Sequence, residues 1–456
     1  MTPLRAETSF ACSVSRTILI AAILVAMTGA NAIAAESPPE GWTTVSPRDE
    51  LRPEFSYLAK GGRSGRGAHI IEHDQREGLD GRWTKTFAVA GGDYFRFQAF
   101  RRTTAVKTPR QSALVQITWQ NDKGELVPYD HKVVDFYRNG KSSLARPEFP
   151  IQERDMGDGW VKVVGTYRVP EQATQALVAL YLKWAPGGRI AWSDISLTKT
   201  QRVIRRVRLA TVHFRPQGGK TPADNCRQFA PLIEEAARQK ADLVVLPETL
   251  TYYGLGKDYA DASEPIPGPS TKYFGTLAKQ HDLYIVAGLL ERDKHLIYNV
   301  AVLIAPDGSV AGKYRKVCLP RSEAEGGIAP GSDYPVFQTR FGKVGMMICY
   351  DGFFPEPARE LTKRGAEIIA WPVWGCNPLL ARARATENHV YLISSTYTDV
   401  SNNWIISGIY NHTGDTLALA RKWGDVVIAE VDLNKPTHWS GIGDFKAEMF
   451  RRRPVE

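Results

Sequence analysis

The stretch GKVGMMICYDGFFPE (342–356) sets one cysteine, Cys349, at the end of an apolar, strand-like run, with a tyrosine and an aspartate directly after it. A thiol in that place is either a small buried hydrophobe or a nucleophile held up at the mouth of a sheet. Two other apolar runs in the same half carry residues that could serve such a nucleophile. ADLVVLPE (241–248) ends in Glu248, and AGKYRKVCLP (311–320) holds Lys316. Taken singly, these are a strand-end charge, a solvated lysine and a packing cysteine. Taken together and in this order, they are a base, a cation and a thiol. Ligand sites in α/β sheets lie beyond the carboxyl ends of strands, so the three could converge there for nucleophilic chemistry.

The elements that would position them begin near residue 203. VRLATVHF, ADLVVLPE, LYIVAGLLER, YNVAVLIAPDG, KVGMMICYD, AEIIAWPVWG, VYLISST and VVIAEVDL read as strands. Amphipathic spacing over 225–240 (NCRQFAPLIEEAARQK), and near 271–281, 357–365 and 378–390, predicts helices between them. Such alternation means layered α/β, and hairpin-like links such as APDGSVAGKY make the sheet mixed. From about residue 40 to 200 the pattern differs. YFRFQAFRR, ALVQITWQN, WVKVVGTYRV, ALVALYLKW and RIAWSDISL alternate apolar and polar residues between Gly-, Pro- and Asp-rich turns, which predicts an all-β sandwich.

The chain has 456 residues, 43% hydrophobic and 23% charged, with a formal net charge of +9. That is an ordinary globular composition with room for two domains. The basic residues are dispersed, and clusters such as QRVIRRVR (201–208) and FRRRP (450–454) read as solvated or inter-element charges rather than a nucleic-acid surface. At the N-terminus, Arg5 and Arg16 precede TILIAAILVAM (17–27) and then the small residues of TGANAIAAE, with cleavage expected after Ala32, Ala34 or Ala35. This is the pattern of a secretory signal peptide, and the apolar run falls short of the about 20 residues of a membrane span. The expected product is exported, to the periplasm or outside the cell. Cys226, Cys318, Cys349 and Cys376 remain after such cleavage. They show neither a disulfide framework nor zinc-like spacing, so no metal is expected and at least one thiol is read as kept for chemistry.

Residues from about 205 to 455 resemble the carbon–nitrogen hydrolase (nitrilase) superfamily in its amidase-like branch. The resemblance rests on L-P-E at 246–248, Y-R-K at 314–316 and I-C-Y-D at 348–351, supported by APGSDYPVFQTRFGKVG, GAEIIAWPVWG, RARATENHVYL and FRRRP. It implies a four-layer αββα sandwich that dimerises or assembles further, and a catalytic set of Glu248, Lys316 and Cys349 with no cofactor. In the implied chemistry Glu248 takes the proton as Cys349 attacks an amide carbonyl, and later activates water. Lys316 and the backbone N–H of Tyr350 receive the oxyanion. A second glutamate holds the lysine; Glu323 and Glu325 both qualify, and the spacing to the following P-G favours Glu325. Trp374, Gly375, Cys376 and Asn377, which follow the next strand, are expected to line the acyl pocket. Glu387, Asn388, His213, His389 and His412 read as structural. Cys318 stands where many relatives carry histidine, either as a packing variant or as a second oxidisable thiol.

The reading for 203–456 is therefore a carbon–nitrogen hydrolase domain, and C-Y-D after the nucleophile, rather than C-W-E, favours a small-molecule amide substrate over a nitrile. Nitrilase, N-carbamoyl hydrolase and acyltransferase activities stay open. The half spanning 36–202 resembles carbohydrate-binding jelly-roll modules through G-D-Y-F-R-F, G-W-V-K-V-V-G-T-Y-R-V-P and W-S-D-I-S-L. Trp119, Trp160, Trp184 and Trp192 are its candidate sugar platforms, with core packing as the plainer reading. A carbohydrate-binding protein on an inactive hydrolase scaffold is the rival from another class.

Overall fold

The structure is a computed structural model describing residues 37–134 and 143–455. The leader expected at 1–35 lies outside the described residues.

Between Thr43 and Thr200 the described strands form two antiparallel sheets. One has the order Thr43–Val45, Asp80–Ala88, Gln175–Lys183, Val115–Gln120. The other runs Glu54–Leu58, Ala68–Glu72, Arg189–Thr200, Tyr94–Thr104, Val161–Arg168, Gln152–Asp155. Alternate side chains of a strand point to opposite faces. Ile71, Phe97 and Ala99 from one sheet thus meet Ile117, Val178 and Leu180 from the other in a shared core. Trp119 and Trp192 are buried in that core and Trp160 is buried under the outer face of the second sheet, whereas Trp184 stands 53% exposed. Three of the four candidate platforms therefore serve packing, where burying an indole removes far more apolar surface than it leaves free to a ligand.

One buried group in this half carries a testable cost. His69 sits among the rings of Trp42, Tyr57 and Trp83, with neither ring nitrogen hydrogen-bonded among the described residues. Burial, aided by the Lys85 charge, lowers its pKa to about 4. The folded protein holds the ring neutral while the unfolded chain protonates near 6.5. Stability is therefore lost as pH falls below 6.5, amounting to about 2 kcal/mol at pH 5. His69→Phe is expected to raise the melting temperature, and to raise it more at pH 5 than at pH 8, in thermal unfolding followed by circular dichroism.

The C-terminal half is layered. Its first six-stranded sheet has the order Val310–Arg315, Leu296–Ile304, Tyr284–Asp293, Leu243–Val245, Arg206–His213, Asp425–Asp432. The second has the order Val336–Gln338, Lys343–Met346, Ile368–Pro372, Tyr391–Ser395, Gly408–Tyr410, Thr416–Leu419. Parallel pairs occupy the middle of each sheet and antiparallel pairs the edges. Val207, Leu209, Val245, Val344, Met346 and Ile368 pack between the sheets. The opposite faces meet helices: Pro222–Arg238 and Pro269–His281 supply Phe229, Ile233 and Phe274 to one, and Pro355–Lys363 and Pro378–Asn388 supply Leu361, Ala381 and Ala385 to the other. The result is helix, sheet, sheet, helix. All four helices carry proline in the first turn, where its fixed φ costs no hydrogen bond.

The chain end returns to the first half. Arg110 donates to the carbonyls of Phe450, Arg453 and Pro454, each at 3.0 Å, and Arg451 stacks on Phe149. His438 Nε2 lies 3.1 Å from Glu148 Oε1, and Ser143 and Ser440 share a hydrogen bond of 2.9 Å. FRRRP thus joins the two halves, as its inter-element reading required.

Candidate active site

Glu248 follows the short strand Leu243–Val245, and the Leu246 N–H still pairs with Val286 O at 2.8 Å. The backbone comes very close to the neighbouring strand at Gly288. A Cβ there would meet Glu248 Cα and Pro247 O at 2.5 Å, so only glycine admits this path. Tyr397 donates its hydroxyl to the Glu248 carbonyl. The side chain is sealed, with the residue 1% exposed.

Lys316 is the first residue past strand Val310–Arg315 and is fully buried, at 0% exposure. Its N–H bonds Asn299 O at 2.9 Å and its carbonyl accepts from Gly331 at 2.7 Å. The ammonium lies 2.8 Å from Glu248 Oε1 and 2.6 Å from Glu323 Oε1. Burial alone would lower its pKa, but Glu248, Cys349 and Glu323 outweigh this and hold it above the ordinary lysine value. Burial pushes Glu323 up to about 7, with Lys316 pulling it down and Glu248 pushing it further up.

The second glutamate is therefore Glu323, and the expectation of Glu325 is corrected. The two lie on a single turn, Arg321–Glu325. Residues two apart on a helix do not share a face, so only one can turn inward. Glu325 points to solvent with its side chain 63% exposed, paired to Arg321 at 2.6 Å. Glu323→Gln is expected to lower turnover roughly 10- to 100-fold, the size of one hydrogen bond to a charged group. Glu325→Gln should match the wild type in the same rate assay.

Cys349 opens the 3-10 turn Cys349–Phe353 after strand Lys343–Met346. Its φ is +38°, a conformation a non-glycine residue keeps only when its surroundings impose it. Asp351 imposes it. This buried carboxylate accepts from the N–H groups of Ile348 (2.9 Å) and Cys318 (2.8 Å) and from the Tyr314 hydroxyl (2.8 Å). It thereby ties the cysteine turn to the strand that delivers Lys316. The residue remains partly exposed, and its thiol lies 3.4 Å from Gly375 O. Desolvation, then Glu248, push the thiol pKa well above the ordinary range, and Lys316 opposes them. Burial thus favours the protonated thiol, with the Glu248 carboxylate and the Lys316 ammonium as its charged neighbours.

The other expected residues fall into place unevenly. Tyr350 follows the cysteine in the turn and packs against Phe353 and Phe354. Trp374 is 47% exposed and its ring neighbours Tyr253 and Tyr397. Gly375 offers its carbonyl to the thiol and is roofed by Trp404, which a Cβ would meet at 2.5 Å. Asn377 is exposed, and its side-chain oxygen accepts from the Leu379 N–H at 2.9 Å, so it caps helix Pro378–Asn388. Glu387 pairs with Arg384 and Asn388 donates to Arg384 O. His213 bonds Ser407, and His389 stacks on His412. Cys318 is pushed up to about 12 by burial and by Asp351.

Three polar groups of the site were not anticipated. Asn299 donates its amide to Glu248 Oε1 (2.8 Å) and Glu323 Oε1 (3.1 Å). Asp351 and Tyr397 have the backbone roles given above. The available signals were a lone asparagine inside the apolar run YNVAVLIAP and the aspartate two places after the cysteine.

Residues 208–440 match the family model for carbon–nitrogen hydrolases. A nitrilase of Pyrococcus abyssi (strain GE5 / Orsay) is 37% identical over 239 residues, 50% of this chain and 90% of that protein. The omega-amidase NIT2 of Homo sapiens is 31% identical over 251 residues, 50% of this chain and 89% of its own. Among solved structures, the C. elegans NitFhit protein overlays with a TM-score of 0.46 at 25% identity, covering 51% of this chain and 62% of that one. With the family model spanning half of its length, the chain belongs to the carbon–nitrogen hydrolase family of the nitrilase superfamily, whose domain makes up its C-terminal half.

Proposed function

We propose that this hydrolase is an amidase, cleaving a non-peptide carbon–nitrogen bond to an acid and ammonia or an amine through a thioester on Cys349. One observation supports the reading above others: a fully buried ammonium, Lys316, bonded to two buried carboxylates beside a thiol. Replacing a buried ion cluster with apolar residues of similar volume is often neutral or stabilising, so stability gives no reason to keep this one. Burial favours the protonated thiol, so its proton leaves during attack, and Glu248 is the neighbouring base. The carbonyl oxygen that turns anionic is received by Lys316 and the Tyr350 N–H, each such donor contributing about 3 kcal/mol to the transition state. Water then enters with Glu248 as base and releases the acid. The chemistry as written uses no metal or cofactor.

The relatives' names divide between nitrilase and omega-amidase. The C-Y-D sequence after the nucleophile favours the amide, and a nitrile is the second reading. We read 36–202 as an exported jelly-roll module for carbohydrate, with Trp184 as its exposed ring, and the whole protein as a homo-oligomer acting in the periplasm or outside the cell. Ammonia release from a panel of amides, N-carbamoyl amino acids and nitriles tests the function. Release from amides supports it. Release confined to nitriles or carbamoyl compounds moves the enzyme to those branches, and none at all with glycan binding intact makes it a binding protein.

A further inference from the structure

The hydrogen bonds around Glu248 are lopsided. Lys316 Nζ and Asn299 Nδ2 both bond its Oε1, each at 2.8 Å. The same two groups bond Glu323 Oε1, at 2.6 and 3.1 Å. Two donors thus face two oxygens in a closed ring. Oε2 of Glu248 is buried and has no hydrogen-bond partner among the described residues. The amide orientation is not arbitrary, since turning it would point a carbonyl at two carboxylate oxygens. Asn299 is itself 1% exposed, and its carbonyl directs the Lys316 N–H at 2.9 Å. One residue therefore fixes the base from its side chain and the cation from its backbone.

We propose that Asn299 is a positioning residue which, with Lys316, locks Oε1 of Glu248 so that Oε2 is the oxygen carrying the proton in both halves of the reaction. This rests on the amidase reading. As sulfur bonds the carbonyl carbon, the S–H bond breaks, its proton moves to Oε2, and the carbonyl π pair moves to oxygen. When the tetrahedral adduct collapses, the C–N bond breaks and the proton passes from Oε2 to the leaving nitrogen. Water then adds to the thioester carbon, its proton moving to Oε2, and the departing sulfur takes that proton back.

The test is Asn299→Asp, which keeps the shape but turns a donor into an acceptor, with Asn299→Ala beside it. Two profiles are read against pH: kcat/KM for ammonia release, and the rate of Cys349 alkylation by iodoacetamide, which needs no substrate. The expected result is a roughly 10- to 100-fold loss in kcat with KM little changed. The acid limb of both profiles moves to higher pH, because the ionised base has lost a hydrogen bond. Either variant that melts as a folded protein suffices. Both profiles unmoved, with kcat within twofold of wild type, would overturn the assignment and leave Asn299 a packing residue. A wild-type protein that hydrolyses no amide, yet shows the shifted alkylation limb in the variants, strikes the amidase reading and leaves Asn299 in place.

Discussion

Cys349→Ala remains folded and releases no ammonia from any amide that the wild type hydrolyses. The expected loss is about 10⁶-fold in kcat, the scale on which removing a covalent nucleophile returns an enzyme to binding and oxyanion stabilisation alone. Stability should change little. The substitution deletes one partly exposed thiol and one 3.4 Å contact to Gly375 O. The strained turn is held by Asp351 through backbone N–H groups of Ile348 and Cys318, which the substitution leaves alone. Ammonia release and thermal melting on the same preparation check both halves. Activity above a hundredth of wild type would remove Cys349 from the mechanism.

Lys316→Met produces the second large effect, on stability and turnover together. Breaking a buried ion pair by removing one partner costs about 3–5 kcal/mol. Here two carboxylates lose the charge between them and are left sharing a single amide donor, Asn299. Turnover should fall by at least about 10³-fold, since the oxyanion loses its cation. The double variant Lys316→Met/Glu323→Gln separates the two causes. Neutralising Glu323 relieves the repulsion, so urea unfolding should recover much of the lost stability while ammonia release stays absent. Recovery of activity along with stability would mean that Lys316 serves the fold and not the reaction.

Much of the site could be read from the chain because its members close apolar strand runs. Glu248 and Cys349 each stand where a hydrophobic segment stops, and Lys316 is the first residue past the mixed strand Val310–Arg315. The layered fold was legible for the same reason, since Val207 and Leu209 face one layer while Ala210 and Val212 face another. What could not be read depended on phase rather than composition. Choosing between Glu323 and Glu325 required knowing where a one-turn helix starts, because a shift of two residues turns a side chain from the interior to water. For Asn377 the unread part is its cap: a helix begins at Pro378 and uses the Asn377 side-chain oxygen at its N-terminus. Asn299 was invisible because a polar residue in mid-strand announces burial with a partner but not which partner. Two remote carboxylates settle that, and neither is near it in sequence. For the tryptophans the plainer reading, core packing, holds at Trp119 and Trp192, which alternation along the strands turns inward.

The most direct measurement is the mass of the tryptic peptide 344–359, whose one cysteine is Cys349, taken from enzyme quenched in acid while it turns over a saturating amide. A thioester intermediate adds the mass of the substrate's acyl group to that peptide and to no other. The acyl group found instead on the peptide of Cys226, Cys318 or Cys376, with 344–359 unmodified during turnover, would contradict it.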